Sequence, residues 1–598
     1  MMADPSGLLP ALAGAAVVAP FVLALGLLFR AGRPVVAVLS PLAALPALLA
    51  ALLWSPGETR MLELPWLLVG TRLGLDETTR VFLVFTAILW GGAALYARGY
   101  LAGHEGAGKA RFYGFFLFTM GGNLGLIFAR DLASFYLFFV LMSFASYGLI
   151  VHDQTRRARR AGNVYLVMVL VGEAFILPAT LLAAATATTD IGSLPEAVAA
   201  SPVRDAIIGL ALAGFGVKAG ALPLHLWLPL AHPAAPTPAS AVLSGAMIKA
   251  GLLGWITFLP GGELSMDGWG LLLICGGMFA AFAAIIAGLV QEERKTLLAY
   301  SSISQMGFMT AGLGCGLIVP EAWPVSLLAV TLYAAHHALL KGALFLGVGV
   351  YDRSEGRSVL PVLAGMGVLG LAVAGAPLTS GAVTKEYLKE AVYPLPGFMP
   401  ELLEAFLQAA AVGTTLIMVR LLYGMWPSGG AGSAAKASAG RPPLAMLLPW
   451  VVLVAAVILY PLAIPAPPGG LAGALLTTSA LWPPVVGVLL ALAAVFLYRR
   501  AGAARELWRR WTKIPEGDLL VAVEAAGGRG NVLARRAGAR AGGGIGSLAG
   551  TLVKSQQRAG DRLQRQGTLL ESRLGDWTTG GIALTCLVLI LALATALS

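Results

Sequence analysis

Residues 218–251 read KAGALPLHLWLPLAHPAAPTPASAVLSGAMIKAG. Lys218 opens the stretch, Lys249 nearly closes it, and His225 and His232 lie between them. So do Pro223, Pro229, Pro233, Pro236 and Pro238. Proline lacks a backbone donor and interrupts a helix. Inside a membrane, backbone groups released in this way are tolerated only where protein or water satisfies them. The stretch therefore predicts a broken helix beside a hydrated cavity at membrane depth, with a lysine on either side of the break.

The rest of the chain supplies the membrane context. Of its 598 residues, 58% are hydrophobic and 12% charged, and the mean hydropathy is +0.81. Apolar runs of ~20 residues, each able to cross a ~30 Å hydrocarbon core as a helix, recur almost throughout. The alternating pattern of a transmembrane β-barrel is absent. The fold class is an all-α polytopic membrane protein with about sixteen spans by the length rule. The seventh, 205–231, and the twelfth, 359–390, are expected to be broken. Loop charge supports the count. On one side fall Arg30, Arg33, Arg98, Lys109, Arg111, the run RRARR at 156–160, Arg294, Lys295, Arg353, Arg357, Lys436 and Arg441. The other side holds mainly acids: Glu58, Asp190, Glu196, Glu263, Asp267, Glu321 and Glu401. Basic loops stay inside, so both termini are expected outside a bacterial inner membrane.

Several function classes drop out. The net charge of +11 follows from loop bias, and no basic soluble domain suggests nucleic acid as a partner. The start MMADPSG lacks the basic leader of a cleavable signal. Cys275, Cys315 and Cys586 all fall within spans without a CxxC spacing, which leaves disulfides, zinc and iron–sulfur ligation unsupported. No Walker loop or dinucleotide fingerprint appears. No cofactor, metal or redox centre is expected.

Charges inside the spans carry the chemistry. A lysine at mid-bilayer costs roughly 2.5–3.5 kcal/mol on insertion scales and so marks a partner or a pathway. Lys218, Lys249, Lys341 and Lys385 all lie in expected spans, and Glu173 lies in the sixth. Burial disfavours a lysine's charged form and a nearby carboxylate favours it, so a line of such groups can pass protons. His337 and Lys341 are four residues apart on one helix and share a face; His336 points about a quarter-turn away. His225, His232 and His336 are possible additional relay members. AGALPL at 219–224 is echoed by AGAPL at 374–378. Paired breaks at corresponding places suggest inverted repeats with transport sites at the interruptions.

These residues resemble a known family. GFGVKAGALPLHLWLPLAHPAAPTPASAVLSGAMIKAG at 214–251 is similar to the signature region of the antiporter-like subunits of respiratory complex I. It is also similar to their relatives in Mrp-type cation/proton antiporters and in membrane-bound hydrogenase and formate-hydrogenlyase complexes. RKTLLAYSSISQMG at 294–307, HHALLKGALFLGVG at 336–349 and GAPLTSGAVTKEYL at 375–388 agree in order. The resemblance covers about residues 60–425. It implies a fourteen-helix core with two inverted five-helix repeats, each holding a discontinuous helix. It also implies a proton relay through Lys218, Lys249, His337, Lys341 and Lys385. One departure stands out. The family has a glutamate in the fifth span, paired to the lysine of the seventh, where FFVLMSFASY at 138–147 places Val140. Glu173 is the candidate replacement, with local pairing as the alternative.

The segments then read as follows: 1–110, N-terminal spans; 111–259, first repeat; 260–424, second repeat; 425–498, remaining core spans. Segment 499–576 carries 15 Lys/Arg against 7 Asp/Glu. Its Leu548, Leu552, Ala559, Leu563, Leu570 and Leu574 recur at helical spacing, as in an amphipathic lateral segment. Residues 577–598 form an anchor span. The expected function is a proton- or sodium/proton-translocating subunit without a redox centre, within a multisubunit energy-converting complex of NADH–quinone-oxidoreductase-like or hydrogenase type. Its expected partners are other membrane subunits, further antiporter-like subunits among them, together with lipid. The alternatives are a scaffold subunit whose channel is impaired at Val140, and an Mrp-type antiporter subunit with no redox partner.

Overall fold

The apolar runs fold as helices. A computed structural model describes residues 7–500, apart from 58–59, 69, 104–106, 187, 427–440 and 477. The basic tail beyond residue 500 and the anchor span 577–597 lie outside the described residues. Residues Met1–Leu64 and Thr71–Glu516 make up one unit, and Pro65–Gly70 with Gly517–Ser598 a second, of which only a short turn is described.

In chain order the helices are α1 (Leu8–Leu25), α2 (Gly32–Leu39), α3 (Leu45–Leu53), α4 (Glu77–Tyr100), α5 (Ala107–Phe128), α6 (Leu132–Ile150) and α7 (Arg156–Thr186). There follow α8 (Leu194–Ala200), α9 (Arg204–Ala219), α10 (Leu228–Ala234), α11 (Thr237–Val242), α12 (Ile248–Phe258), α13 (Asp267–Leu289) and α14 (Arg294–Ile318). The second half continues with α15 (Trp323–Asp352), α16 (Val359–Ala374), α17 (Ser380–Val392), α18 (Met399–Met425), α19 (Leu444–Ala463), α20 (Gly470–Leu475) and α21 (Thr478–Arg500). A small antiparallel hairpin, β1 (Leu62–Leu64) and β2 (Thr71–Leu73), pairs Leu62 with Leu73.

Every expected span within the described residues holds helix. Among the described residues, twelve helical stretches are long and apolar enough to cross a membrane. Three further expected spans, α5, the broken α9–α10 and α14, fall outside that set. For α14 the reason is its surroundings. It carries Ser301, Ser302, Ser304, Gln305 and Thr310, all buried against other helices. Polar side chains are tolerated at membrane depth when they face protein. The peripheral stretch Leu8–Leu28 is 33% buried, whereas Thr237–Phe258 is 94% buried. Exposed Val22, Phe279, Ile286, Leu360 and Leu462 make an outer surface suited to lipid and not to water.

Acids in the connecting turns fix where several helices start. Asp76 accepts from the Thr79 amide at 2.7 Å while the Thr79 hydroxyl takes the Asp76 amide, a capping box opening α4. Asp131 caps α6 through Ser134 and also accepts the Arg72 amide at 2.8 Å, tying the hairpin to that helix. Glu293 caps α14 through the Thr296 amide.

The two predicted breaks are present and end alike. α9 stops at Gly220 (φ 72°) and α16 at Gly375 (φ 77°), both left-handed. That conformation is open to glycine and strained for other residues. Pro223 and Pro229 follow the first break, and Pro377 the second. A third irregularity was not foreseen. The helix that begins at α11 passes through a π turn, Leu243–Met247, before α12. Single π turns of this kind concentrate at functional sites.

Candidate functional site

The buried ionisable groups gather along the helices that bear these irregularities. α12 lies against α9 so closely that a Cβ at Gly251 would come within 2.5 Å of the Ala219 amide nitrogen. This contact sets the Lys249 and Lys218 helices side by side.

At the centre, Lys249 is fully buried. Its amine donates to the Ser244 carbonyl at 2.9 Å and meets His337 Nδ1 at 2.8 Å. Ser244 belongs to the π turn, where backbone geometry leaves this carbonyl for the lysine. The Ser244 and Ser302 hydroxyls are 2.8 Å apart. Ser302 donates to the Leu298 carbonyl at 3.0 Å, and the Lys341 amine donates to the same oxygen at 3.1 Å. His337, Lys249, Ser244, Ser302 and Lys341 thus form one polar track spanning α12, α14, α15 and the π turn. Lys341 and His337 are themselves wholly buried. Expensive buried groups of this kind persist where they are mutually satisfied or functional.

His336 faces away from that track. Its ring packs 5.8 Å from Tyr333 and 6.2 Å from Tyr460, and it lies within electrostatic reach of both Lys249 and Lys385. Tyr333 hydrogen-bonds Gln305, which reaches the Thr414 hydroxyl at 3.3 Å. Lys385 donates to the Ala374 carbonyl at 2.6 Å. Ala374 is the last residue of α16, so the amine meets the electronegative end of that broken helix. Beside it, Lys389 bridges Glu386 at 3.1 Å and Glu404 at 3.5 Å and donates to Ser479 at 2.8 Å.

Lys218 is a separate group. Its amine donates to the Tyr165 hydroxyl at 3.0 Å. That hydroxyl donates to the Ser143 carbonyl at 2.8 Å and lies 2.5 Å from Ser146 Oγ, which returns to the same carbonyl. The hydrogen bonds of this group close on themselves and do not reach the Lys249 track. Glu173 lines the same void as Lys218 and lies within its electrostatic reach. Among the described residues no ion pair joins them, and Glu173 Oε2 is buried without a hydrogen-bond partner. Val140, Tyr136 and Ser143 share a stripe of α6 by their spacing, and Glu173 sits next to Tyr136.

The remaining histidines stand at the edges. His232 stacks on Phe345 with centroids 4.5 Å apart and lies in reach of Lys295, Lys341 and Lys249. His225 packs 6.4 Å from Tyr300. Lys295 donates to the Ala235 carbonyl at 2.8 Å, at the far side of the first break. Sequence reasoning missed Tyr165, Ser143, Ser146, Ser244, Ser302 and Lys389. For all but Lys389 the available signal was a hydroxyl inside an otherwise apolar helix, which is too common to single out. Among the described residues no cluster of three or more His, Cys, Asp or Glu could hold a metal.

Comparison with known proteins agrees with this architecture. Residues 129–396 match the family model described as NADH:quinone oxidoreductase/Mrp antiporter, transmembrane. Over that stretch the chain is similar to antiporter-like membrane subunits. It is 28% identical over 426 residues to hydrogenase-4 component B of Escherichia coli (strain K12), covering 67% of this chain and 63% of that one. Among solved structures it superposes on the Mrp complex from Dietzia sp. DQ12-45-1b with a TM-score of 0.65 at 24% identity, covering 94% of this chain and 63% of that chain. It also superposes on the membrane-bound sulfane sulfur reductase, an archaeal respiratory membrane complex, with a TM-score of 0.63 at 22% identity, covering 82% of this chain and 99% of that chain. At these identities the structural matches show the fold. The chain spans less than two thirds of the length of the hydrogenase component and of the matched Mrp chain.

Proposed function

We propose that this chain is the proton-translocating membrane subunit of a multisubunit energy-converting complex, lying in a bacterial inner membrane with both termini outside. Protons move laterally through the His337–Lys249–Ser244–Ser302–Lys341 track and pass by His336 toward Lys385. The observation that carries this reading is the fully buried cluster in which His337 meets Lys249, Ser244 meets Ser302, and the carbonyls of Ser244 and Leu298 gather Lys249, Ser302 and Lys341. Amines, imidazoles and hydroxyls exchange protons through such bonds, whereas hard cations prefer cages of carboxylate and carbonyl oxygen. Protons are therefore favoured over sodium as cargo. The sequence carries no redox motif, and on this reading neighbouring subunits provide the driving reaction or the other half of an exchange cycle. The basic tail 499–576, with the anchor that follows it, is suited to bracing such a neighbour.

A second reading has its own observation. Val140 offers no carboxylate, and the Lys218 hydrogen bonds do not join the central track. A subunit that scaffolds its neighbours while its first half conducts poorly would look like this. Purified complex in proteoliposomes separates the two. Loss of proton transport in Lys249→Met with assembly intact supports conduction. Unchanged transport in that variant leaves the scaffold reading standing.

A further inference from the structure

Lys218 is a buried amine with one hydrogen-bond partner and no ion-pair partner among the described residues. Three aromatic rings surround it. Its Nζ lies 5.4 Å from the centroid of Tyr165, 5.9 Å from that of Trp227 and 6.0 Å from that of Phe139. The rings come from three elements: α6, α7 and the segment after the first break. Trp227 is fixed by its indole N–H, which donates to the Val217 carbonyl at 2.7 Å, adjacent to Lys218 itself. Tyr165 packs edge-on to Trp227 with centroids 5.1 Å apart. The Tyr165 hydroxyl is aimed at the amine, with Ser146 and the Ser143 carbonyl behind it.

We propose that the rings of Phe139 and Trp227 and the hydroxyl of Tyr165 form a cage for an alkylammonium ion, occupied in this chain by its own Lys218. Aromatic faces attract a desolvated cation electrostatically, and cages of this composition recognise ammonium ligands. The cage does for Lys218 what a carboxylate in direct contact would otherwise do; Glu173 shares the void but forms no ion pair with it among the described residues. It also fastens the chain beyond the break to α6 and α7. The lysine is held by several weak, distributed attractions and one hydrogen bond, so no single ion pair has to open or close around it. This inference concerns binding and stands apart from the transport reading.

Lys218→Ala empties the cage and leaves space for the fragment removed, which is n-propylammonium in length. The test uses the purified whole complex carrying Lys218→Ala, with thermal stability measured against methyl-, ethyl-, n-propyl- and n-pentylammonium chloride. The expected result is a saturable rise in Tm that peaks at n-propyl, is weaker for methyl and ethyl, and is absent for n-pentyl and for the parent complex. In Lys218→Ala/Tyr165→Phe the rings remain and the hydroxyl is lost, so n-propylammonium binding weakens by about tenfold. In Lys218→Ala/Trp227→Leu it weakens at least as much. If one double variant fails to assemble, the other carries the comparison. A flat response across the amine series, or equal binding in the assembled double variants, overturns the cage. Transport is not read in this experiment, so its failure is distinct from that of the proton track, which Lys249→Met tests.

Discussion

Replacing Lys249 with methionine removes the amine and nearly preserves the volume. Two buried groups then lose their partner: the Ser244 carbonyl at 2.9 Å and His337 Nδ1 at 2.8 Å. Each buried orphan costs about 1–3 kcal/mol, or about 2–6 kcal/mol for the pair. Against this stands the amine's own burial, whose removal returns several kcal/mol. Methionine fills the gap without a large cavity. The opposing terms leave a net stability change within about 2 kcal/mol. Transport has no such compensation, because Lys249 is the side chain that joins His337 to the Ser244 end of the track. Loss of a positioned proton-exchanging group reduces rate by about 100-fold or more. The assay is proton movement by the whole complex in proteoliposomes, with Tm and subunit composition checked in parallel. Transport above half the parent rate in an intact Lys249→Met complex would refute the track.

Other substitutions probe the frame. Gly220→Ala forces a Cβ into a left-handed position (φ 72°) and should destabilise the unit by about 1–2 kcal/mol in denaturant unfolding. Gly375→Ala carries the same strain and places its Cβ 2.8 Å from Lys385 Nζ. It should therefore slow transport as well, a split that parallel unfolding and flux measurements will show. Val140→Glu sets a carboxylate on the α6 stripe that includes Ser143. It should change transport by about tenfold or more if Lys218 responds to a charged partner, and unchanged flux would place Lys218 outside the conduction path. Asp76→Ala removes both the α4 capping box and the ion pair to Arg130 at 2.5 Å. It should lower stability by about 1–3 kcal/mol and leave the rate per assembled complex unchanged.

The sequence made the helices, both breaks and the buried lysines legible, because each leaves a local mark. Apolar length marks a span, a Pro-rich run marks an interruption, and a charge within a span marks an expense that needs a reason. The partners of those lysines were not legible. Tyr165 meets Lys218 across 53 positions of chain, and Ser302 meets Ser244 across 58. Nothing in the neighbourhood of either hydroxyl distinguishes it from an ordinary buried one. The carbonyls of Ser244, Leu298 and Ala374 carry no side-chain signature at all, yet each receives a lysine. The π turn depends on how the helix from α11 to α12 packs, and its residues Leu243–Met247 read as plain helix. Glu173 marks the limit of charge counting. Its position one span after Val140 suggested a substitute partner, and the fold brings it to the Lys218 void without an ion pair among the described residues.

The polar helix α14 bears on how the chain is made. It is enclosed by protein along nearly its whole length and falls outside the stretches apolar enough to cross a membrane alone. Its neighbour α13 is strongly apolar and touches it backbone to backbone: a Cβ at Gly277 would lie 2.4 Å from the Gly307 carbonyl oxygen. During synthesis α13 leaves the ribosome first, and only a short turn separates the two. A helix rich in serine, with no side meant for lipid, gains little by partitioning singly into the bilayer. It can enter as the second arm of a hairpin whose first arm already covers one of its faces. The small residues at the Gly277–Gly307 crossing let the two arms close on each other, and α15 and α18 follow in chain order to bury more of α14.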